Sequence, residues 1–188
     1  MNIVKTYVNK EKNQRIEVAT EEMSENPRCW DETTKMVTSH KQYLFPWEIN
    51  TPNSEFDSWD EIVSHIMENY DVECLLPVSM TDHSGLSFYT GVARGWDCGQ
   101  IGFIFITKEN FKEYENISAK EILIDRIKEY NTWSNNDVYI FNLIQLETCK
   151  CCGHTSEESI DSCGGYYGYN DIETNLKDFT DMTGFVEE

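Results

Sequence analysis

Apolar and polar positions alternate weakly over residues 3–8 and again over 15–20, with Ile3, Tyr7, Ile16 and Val18 apolar and a polar run at 9–14 between them. A period of two on either side of a polar turn predicts a β-hairpin. A polar connector with Asn26-Pro27 follows, then a short extended piece around Met36-Val37. Residues 44–57 carry Pro46, Pro52 and several Asn, Asp and Ser, and read as loop. At Ser58-Trp59-Asp60-Glu61 the period changes. The serine can accept a backbone N–H while Glu61 reaches back, and Ile62, Ile66, Met67 and Tyr70 stripe one face of a helix running to about residue 70. Residues 74–78 predict a strand, which Pro77 assigns to an edge or a bulge. Strands are also predicted over 86–90 and 101–106, the second apolar on both faces and therefore central. A short helix fits 109–115. Ser118-Ala119-Lys120-Glu121 is a second capping box, opening a helix to about residue 133 with Leu123, Ile127 and Tyr130 inward. A long strand over 138–146 leads through a polar tip into 159–167, a hairpin with an elongated connection. Beyond residue 171, Ile172, Leu176 and Phe179 fit one or two amphipathic turns with Asn170 as cap.

These elements define an α+β protein, mostly antiparallel sheet packed with two main helices. The 188 residues fit a single domain, with 147–160 as an inserted hairpin tip and 169–188 as an acidic C-terminal appendage. Hydrophobic residues make up only 39% of the chain, but aromatics reach 13% and bury large areas individually, so a core is available. The five tryptophans are expected as core or boundary anchors. No apolar run approaches the ~20 residues that span a bilayer. Residues 1–5 show no charged region followed by an apolar stretch, so no signal peptide is expected. Seven cysteines, an odd number, then predict reduced thiols and a cytoplasmic location rather than a disulfide framework.

Charge narrows the partners. Fifteen Lys and Arg against 34 Asp and Glu leave a formal charge of −19. Nucleic acid is bound by displacing counterions with Lys and Arg, so direct nucleic-acid binding is not expected, nor is attraction to an anionic membrane. A basic surface on another protein, such as a nucleic-acid-binding groove, is the complementary target. The acids concentrate early, at Glu17, Glu21, Glu22, Glu25, Asp31 and Glu32, and again in the last quarter. There Glu157, Glu158, Asp161, Asp171 and Glu173 are the candidate partner-binding residues. Carboxylates projecting from a sheet at regular spacing can imitate a row of phosphates, although a solvated acidic face has the same signature in sequence.

Two clusters carry candidate chemistry. Thr81-Asp82-His83-Ser84-Gly85 and Trp96-Asp97-Cys98-Gly99-Gln100 are loops at strand ends. In them Asp82 can orient the His83 imidazole, Cys98 can act as nucleophile, and Gln100 or the Gly99 N–H can steady an oxyanion, with Asp97 alongside. Asp-His-Ser-Gly is equally a good turn, and neighbours on an extended segment point to opposite faces. The two loops are expected to meet in space in either case. The second cluster is Cys149, Cys151, Cys152, His154 and Cys163. Cys149 and Cys152 have metal-knuckle spacing, and with His154 and Cys163 they supply four ligands for zinc if the hairpin returns Cys163 to the tip. Without that return the loop simply contains thiols, and no cofactor is required.

Four stretches together carry a family likeness: Asn26-Pro27-Arg28-x-Trp30-Asp31 with Met36-Val37 and His40; Asp82-His83-Ser84-Gly85; Trp96-Asp97-Cys98-Gly99-Gln100-Ile101-Gly102-Phe103; and Asp161-Ser162-Cys163-Gly164-Gly165-Tyr166-Tyr167-Gly168. In them the chain resembles small acidic proteins encoded by bacteriophages and plasmids. The resemblance implies a mobile-element setting rather than a reaction. The pattern has Ser where this chain has Cys98, which argues against an obligate nucleophile there, and the 149–154 loop looks like a local insertion. Small acidic phage proteins often counter host defence by occupying nucleic-acid grooves, including those of Cas effectors and restriction enzymes. Three functions therefore follow as expectations. The first is a counter-defence inhibitor that binds a host defence protein or nucleoprotein complex through acidic surface. The others are a small hydrolase or group-transfer enzyme built on Asp82, His83, Asp97 and Cys98, and a zinc-stabilised structural module.

Overall fold

The computed structural model describes residues 2–83 and 85–188, with Asp171 described by its backbone alone. Among the described residues nine strands and four helices follow one another. The first are β1 (Ile3–Asn9), β2 (Gln14–Thr20), β3 (Thr34–Thr38), α1 (Trp59–Asn69), β4 (Val72–Asp82) and β5 (Leu86–Thr90). Then come β6 (Cys98–Thr107), α2 (Lys108–Phe111), α3 (Ala119–Ser134), β7 (Val138–Thr148), β8 (Thr155–Tyr167), α4 (Ile172–Phe179) and β9 (Val186–Glu187). The strands form two antiparallel sheets, so the fold is α+β. Where composition and length fit one domain, the backbone divides into two compact units. One is the chain up to Glu25 with Thr132–Glu188, and the other is Asn26–Asn131.

The Asn26–Asn131 unit holds the sheet β3-β6-β4-β5, with β6 inside it as its apolar run predicts. Phe103 and Phe105 of β6 pack with Val37, Ile49, Ile62 and Ile66, so α1 covers this face. On the other face Tyr130 of α3 meets the Phe88 ring at 5.0 Å, and Asn131 accepts the Phe88 N–H at 2.7 Å. Both helices start at their serines. Ser118 and Glu121 exchange hydrogen bonds reciprocally, at 3.2 and 3.0 Å. Ser58 accepts the Glu61 N–H at 3.3 Å, but Glu61 reaches one residue further back, to the Asp57 N–H at 2.8 Å. Met67 is exposed, so the buried stripe of α1 is Ile62 and Ile66. Pro77 lies where β4 still pairs only with β6, just before β5 joins at Val78. Its carbonyl accepts the Gly91 N–H at 3.0 Å, and the Gly91 carbonyl, which Pro77 has no N–H to meet, takes the Ser79 hydroxyl at 2.7 Å instead. Gly102 answers a close approach: a Cβ there would collide with the Val37 carbonyl oxygen and lie 2.7 Å from the Thr38 Cα on β3.

The Asn26-Pro27-Arg28 stretch forms a short 3-10 turn, Pro27–Cys29, in which Asn26 accepts the Arg28 N–H at 2.9 Å. The turn delivers the Arg28 guanidinium, 4% exposed, to three elements. It bonds Asp31 at 2.7 Å, the Glu48 carboxylate through two nitrogens at 2.9 and 2.6 Å, and the Thr34 hydroxyl and carbonyl at 3.0 Å each. Glu48 also accepts the Met36 N–H at 2.5 Å, fastening its segment to β3 beside the Val37–Trp47 bridge. Arg126 of α3 approaches Asp31 at 3.5 Å and pairs with Glu129 at 2.8 Å. Burial alone would raise the Asp31 carboxyl, but bonds from Thr34 and Thr33 and the Arg28 charge outweigh it and hold the group below its usual range.

The other unit holds the sheet β8-β7-β2-β1-β9, in which the hairpin β1–β2 pairs with β7 from the far end of the chain. Its core joins Tyr7, Ile16, Val18, Tyr139 and Phe141 to Ile172 and Leu176 of α4. Residues 169–188 are therefore not an appendage: α4 is buried in the core and β9 pairs with β1. Asn170 sits inside a 3-10 turn, Tyr169–Asp171, that runs into α4, rather than capping the helix. The hairpin tip is also shorter than 147–160, because the β7–β8 ladder extends to the pair Thr148–Thr155.

Two outcomes test this packing. Gly102→Ala should destabilise by about 3 kcal/mol or more, read by urea unfolding, because two strand backbones must separate. Arg28→Ala should cost about 3–5 kcal/mol, since it strands the Asp31 and Glu48 carboxylates. Because Asp31 is depressed in the folded state, its contribution is present above its unfolded value of ~3.9 and is lost as pH falls through the folded value. Asp31→Asn should accordingly flatten the acid side of the stability profile.

Candidate functional site

In the Asn26–Asn131 unit the two loop motifs meet at one end of the sheet. The last β4–β6 pair is Thr81–Cys98, and Asp82 N–H donates to the Asp97 carbonyl at 2.9 Å, which extends the ladder one step. That step brings His83 Nδ1 to 3.2 Å from Asp97 Oδ2. Asp97, not Asp82, is thus the carboxylate beside the imidazole, because His83 and Asp82 point apart on the extended strand. Asp82 instead accepts the Tyr43 hydroxyl at 2.8 Å, a bond that raises the Tyr43 phenol. Tyr43 stacks between His40 and Phe45, with ring centroids at 5.1 and 5.6 Å, so the His40 motif ends in the same place.

The catalytic arrangement expected from sequence is only partly assembled. Cys98 lies against the Thr81 hydroxyl at 3.1 Å. Gln100 folds back along its own strand to the Gly102 carbonyl at 3.4 Å, away from an oxyanion-binding role. His83 and Asp97 side chains are 74% and 54% exposed, so their contact is made in water. Ser84 lies outside the described residues. Trp96, beside Asp97, is fully exposed, in contrast to the core or boundary role expected of it, whereas Trp30 is 44% exposed, a boundary position.

The second region is the β7–β8 arm, where Thr155–Gly165 is exposed throughout and β8 is a sheet edge. Glu157 pairs with Leu146 and Glu158 with Gln145, so strand alternation sends these adjacent carboxylates to opposite faces. Glu157 is held by Arg15 at 2.7 Å. Ile160 is an extra residue between the pairs Ile144–Ser159 and Leu143–Asp161, a β-bulge that returns Asp161 to the face of Glu158. Glu147, opposite Ser156, shares that face. The exposed carboxylates on one side of the arm are thus Glu147, Glu158 and Asp161, on the same side from which Phe141 and Leu143 pack into the core. Glu173 opens α4 and lies 3.6 Å from Lys5, where its charge suits the helix N-terminus. The Asp171 side chain lies outside the described residues. A second bulge falls at Gly164-Gly165, with φ +79° at Gly165, whose N–H donates to Glu21 at 2.7 Å. Glu21 of the early acidic run is therefore fastened to this strand.

At the tip, the Sγ atoms of Cys149, Cys151 and Cys152 lie within 4.8 Å of one another, a group able to hold a metal ion. Cys149 is drawn down to about 6, first by the Cys151 thiol at 3.0 Å and then by the backbone N–H groups of Cys151 and Cys152. Cys163 does not join them. It pairs with Phe141, seven residues down the strand from Thr148, or ~23 Å at ~3.3 Å per residue. His154 accepts the Cys149 N–H through its carbonyl at 2.8 Å, and its ring is not in the group. All seven cysteines are free thiols. The doublet Cys151-Cys152 was the available sign that the third sulfur is local, since a hairpin whose ladder continues to the tip cannot fold its own strand back.

No protein-family model, curated protein or solved structure matches the chain. No helix among the described residues is long and apolar enough to cross a membrane.

The exposed His83–Asp97 pair sets one expected outcome. Both His83→Ala and Asp97→Asn should shift stability by less than about 1 kcal/mol in thermal unfolding, because a solvent-exposed pair is worth little.

Proposed function

We propose that the protein is a non-catalytic binding module that docks the acidic face of its β7–β8 arm in a basic groove of another protein. The observation that carries this reading is the placement of three exposed carboxylates, Glu147, Glu158 and Asp161, on one side of an edge hairpin, the last two aligned by the Ile160 bulge. A chain of charge −19 approaches such a groove under long-range attraction, and the sheet holds the backbone of these positions in register, so only the side chains remain to be ordered. In the setting that the phage and plasmid resemblance implies, the groove belongs to a host nucleic-acid-binding defence complex of CRISPR-Cas or restriction type, met in the host cytoplasm. Inhibition then follows from occupying the site of the nucleic acid.

A second reading rests on the His83–Asp97 contact at 3.2 Å, an imidazole oriented by a carboxylate as a general base requires. It predicts a hydrolase or group-transfer activity abolished by His83→Ala with folding intact. Retained target inhibition in that variant favours the binding module.

The charge test uses a host partner captured on tagged protein. Association should slow as salt rises, because exposed charges are screened beyond ~8 Å at physiological ionic strength, and nucleic acid should compete. Glu158→Lys with Asp161→Lys should slow association more than it speeds dissociation, whereas Glu157→Lys, on the opposite face, should change it far less. Salt-independent affinity, or binding alongside the partner's nucleic acid, would overturn the reading.

A further inference from the structure

We propose that Cys149, Cys151 and Cys152 form a zinc site of three thiolates, with one coordination position left open, at the tip of the β7–β8 hairpin. The three sulfurs already lie within 4.8 Å of one another. Zinc with ~2.3 Å bonds at tetrahedral angles places its sulfurs ~3.8 Å apart, a spacing close to that already present. The backbone of the turn is in place beforehand. Cys149 N–H donates to the His154 carbonyl at 2.8 Å, and Gly153 N–H donates to the Cys149 carbonyl at 2.9 Å. Gly153, at φ +73°, takes the left-handed position that follows Cys152 and reverses the chain. Just below, the Thr148 and Thr155 hydroxyls meet at 3.0 Å and continue the ladder to the tip.

The donor set selects the ion. Three sulfurs with no carboxylate among them suit a soft or borderline cation and disfavour calcium or magnesium, which take oxygen. Each thiol gives its proton to solvent as the ion binds. This ligand set differs from the one suggested by spacing: Cys151 replaces Cys163, and the His154 ring stays outside. The open fourth position on an exposed tip is accessible to water or to a donor from a partner. The site is independent of the acidic face, and its test does not involve the partner.

The test uses reduced, full-length protein without a polyhistidine tag, stripped by a chelator and titrated with zinc alone. One equivalent should protect Cys149, Cys151 and Cys152 from iodoacetamide, read by peptide mass analysis, while Cys163 alkylates at an unchanged rate. Cobalt(II) in place of zinc should give thiolate charge-transfer absorption. Cys151→Ser should weaken zinc binding by more than the ~10–100-fold that outer-sphere changes cost, whereas Cys163→Ser and His154→Ala should leave it unchanged. All three positions are exposed, and circular dichroism should show each variant folded. Protection of Cys163, loss of binding in Cys163→Ser or His154→Ala, or three thiols that stay reactive under excess zinc would overturn the assignment.

Discussion

The Arg28 guanidinium is the constraint on which the Asn26–Asn131 unit depends. A buried cation must be fully bonded, and this one is satisfied only when the 3-10 turn at Pro27–Cys29, β3 and the Glu48 segment are all in place. The Asn26 cap and Pro27 shape the turn that aims it, and Asp31 follows three residues later to receive it. The Asn26-Pro27-Arg28-x-Trp30-Asp31 run is thereby accounted for by folding. The same cluster seats β3 beside β6, and β6 in turn carries the loop that meets His83.

In the other unit, the positions of carboxylates are set by irregularities in a ladder. A regular β8 would alternate its acids between two faces. The extra residue at Ile160 restores Asp161 to the side of Glu158, and the glycine pair at Gly164-Gly165 turns the strand again while Glu21 binds its exposed N–H. Charge along an edge strand also discourages pairing with other chains, so the arm stays available in an acidic protein without becoming an aggregation edge.

Scarcity of cations shapes the surface. Several of the fifteen basic residues are engaged in ion pairs: Arg28 and Arg126 with Asp31, Arg15 with Glu157, Lys5 with Glu173 and Glu187. These pairs neutralise acids near the core and along the sheet, whereas among the described residues Glu147, Glu158 and Asp161 are in no ion pair. Net charge thus becomes local field, which is the form in which a partner encounters it.

Local chemistry was sufficient for the hairpin at β1–β2, the serine starts of α1 and α3, and the central place of β6, since capping and alternation act over a few residues. It was also enough to name the two loops that meet at His83 and Asp97. What sequence could not supply was partnership over distance. The pairing of β2 with β7, the burial of α4 and the pairing of β9 with β1 all join segments that local propensity treats as unrelated, and so 169–188 read as an appendage. Bulges had the same effect on the sites: one residue more or less in a register decides the face of every side chain beyond it. The sequence by itself determined which residues are acidic, thiol-bearing or able to turn. Only the tertiary structure decided that Glu158 stands with Asp161 and not Glu157, and that Cys149 gathers Cys151 and Cys152 while Cys163 stays far down a strand that a continuous hydrogen-bonded ladder keeps extended.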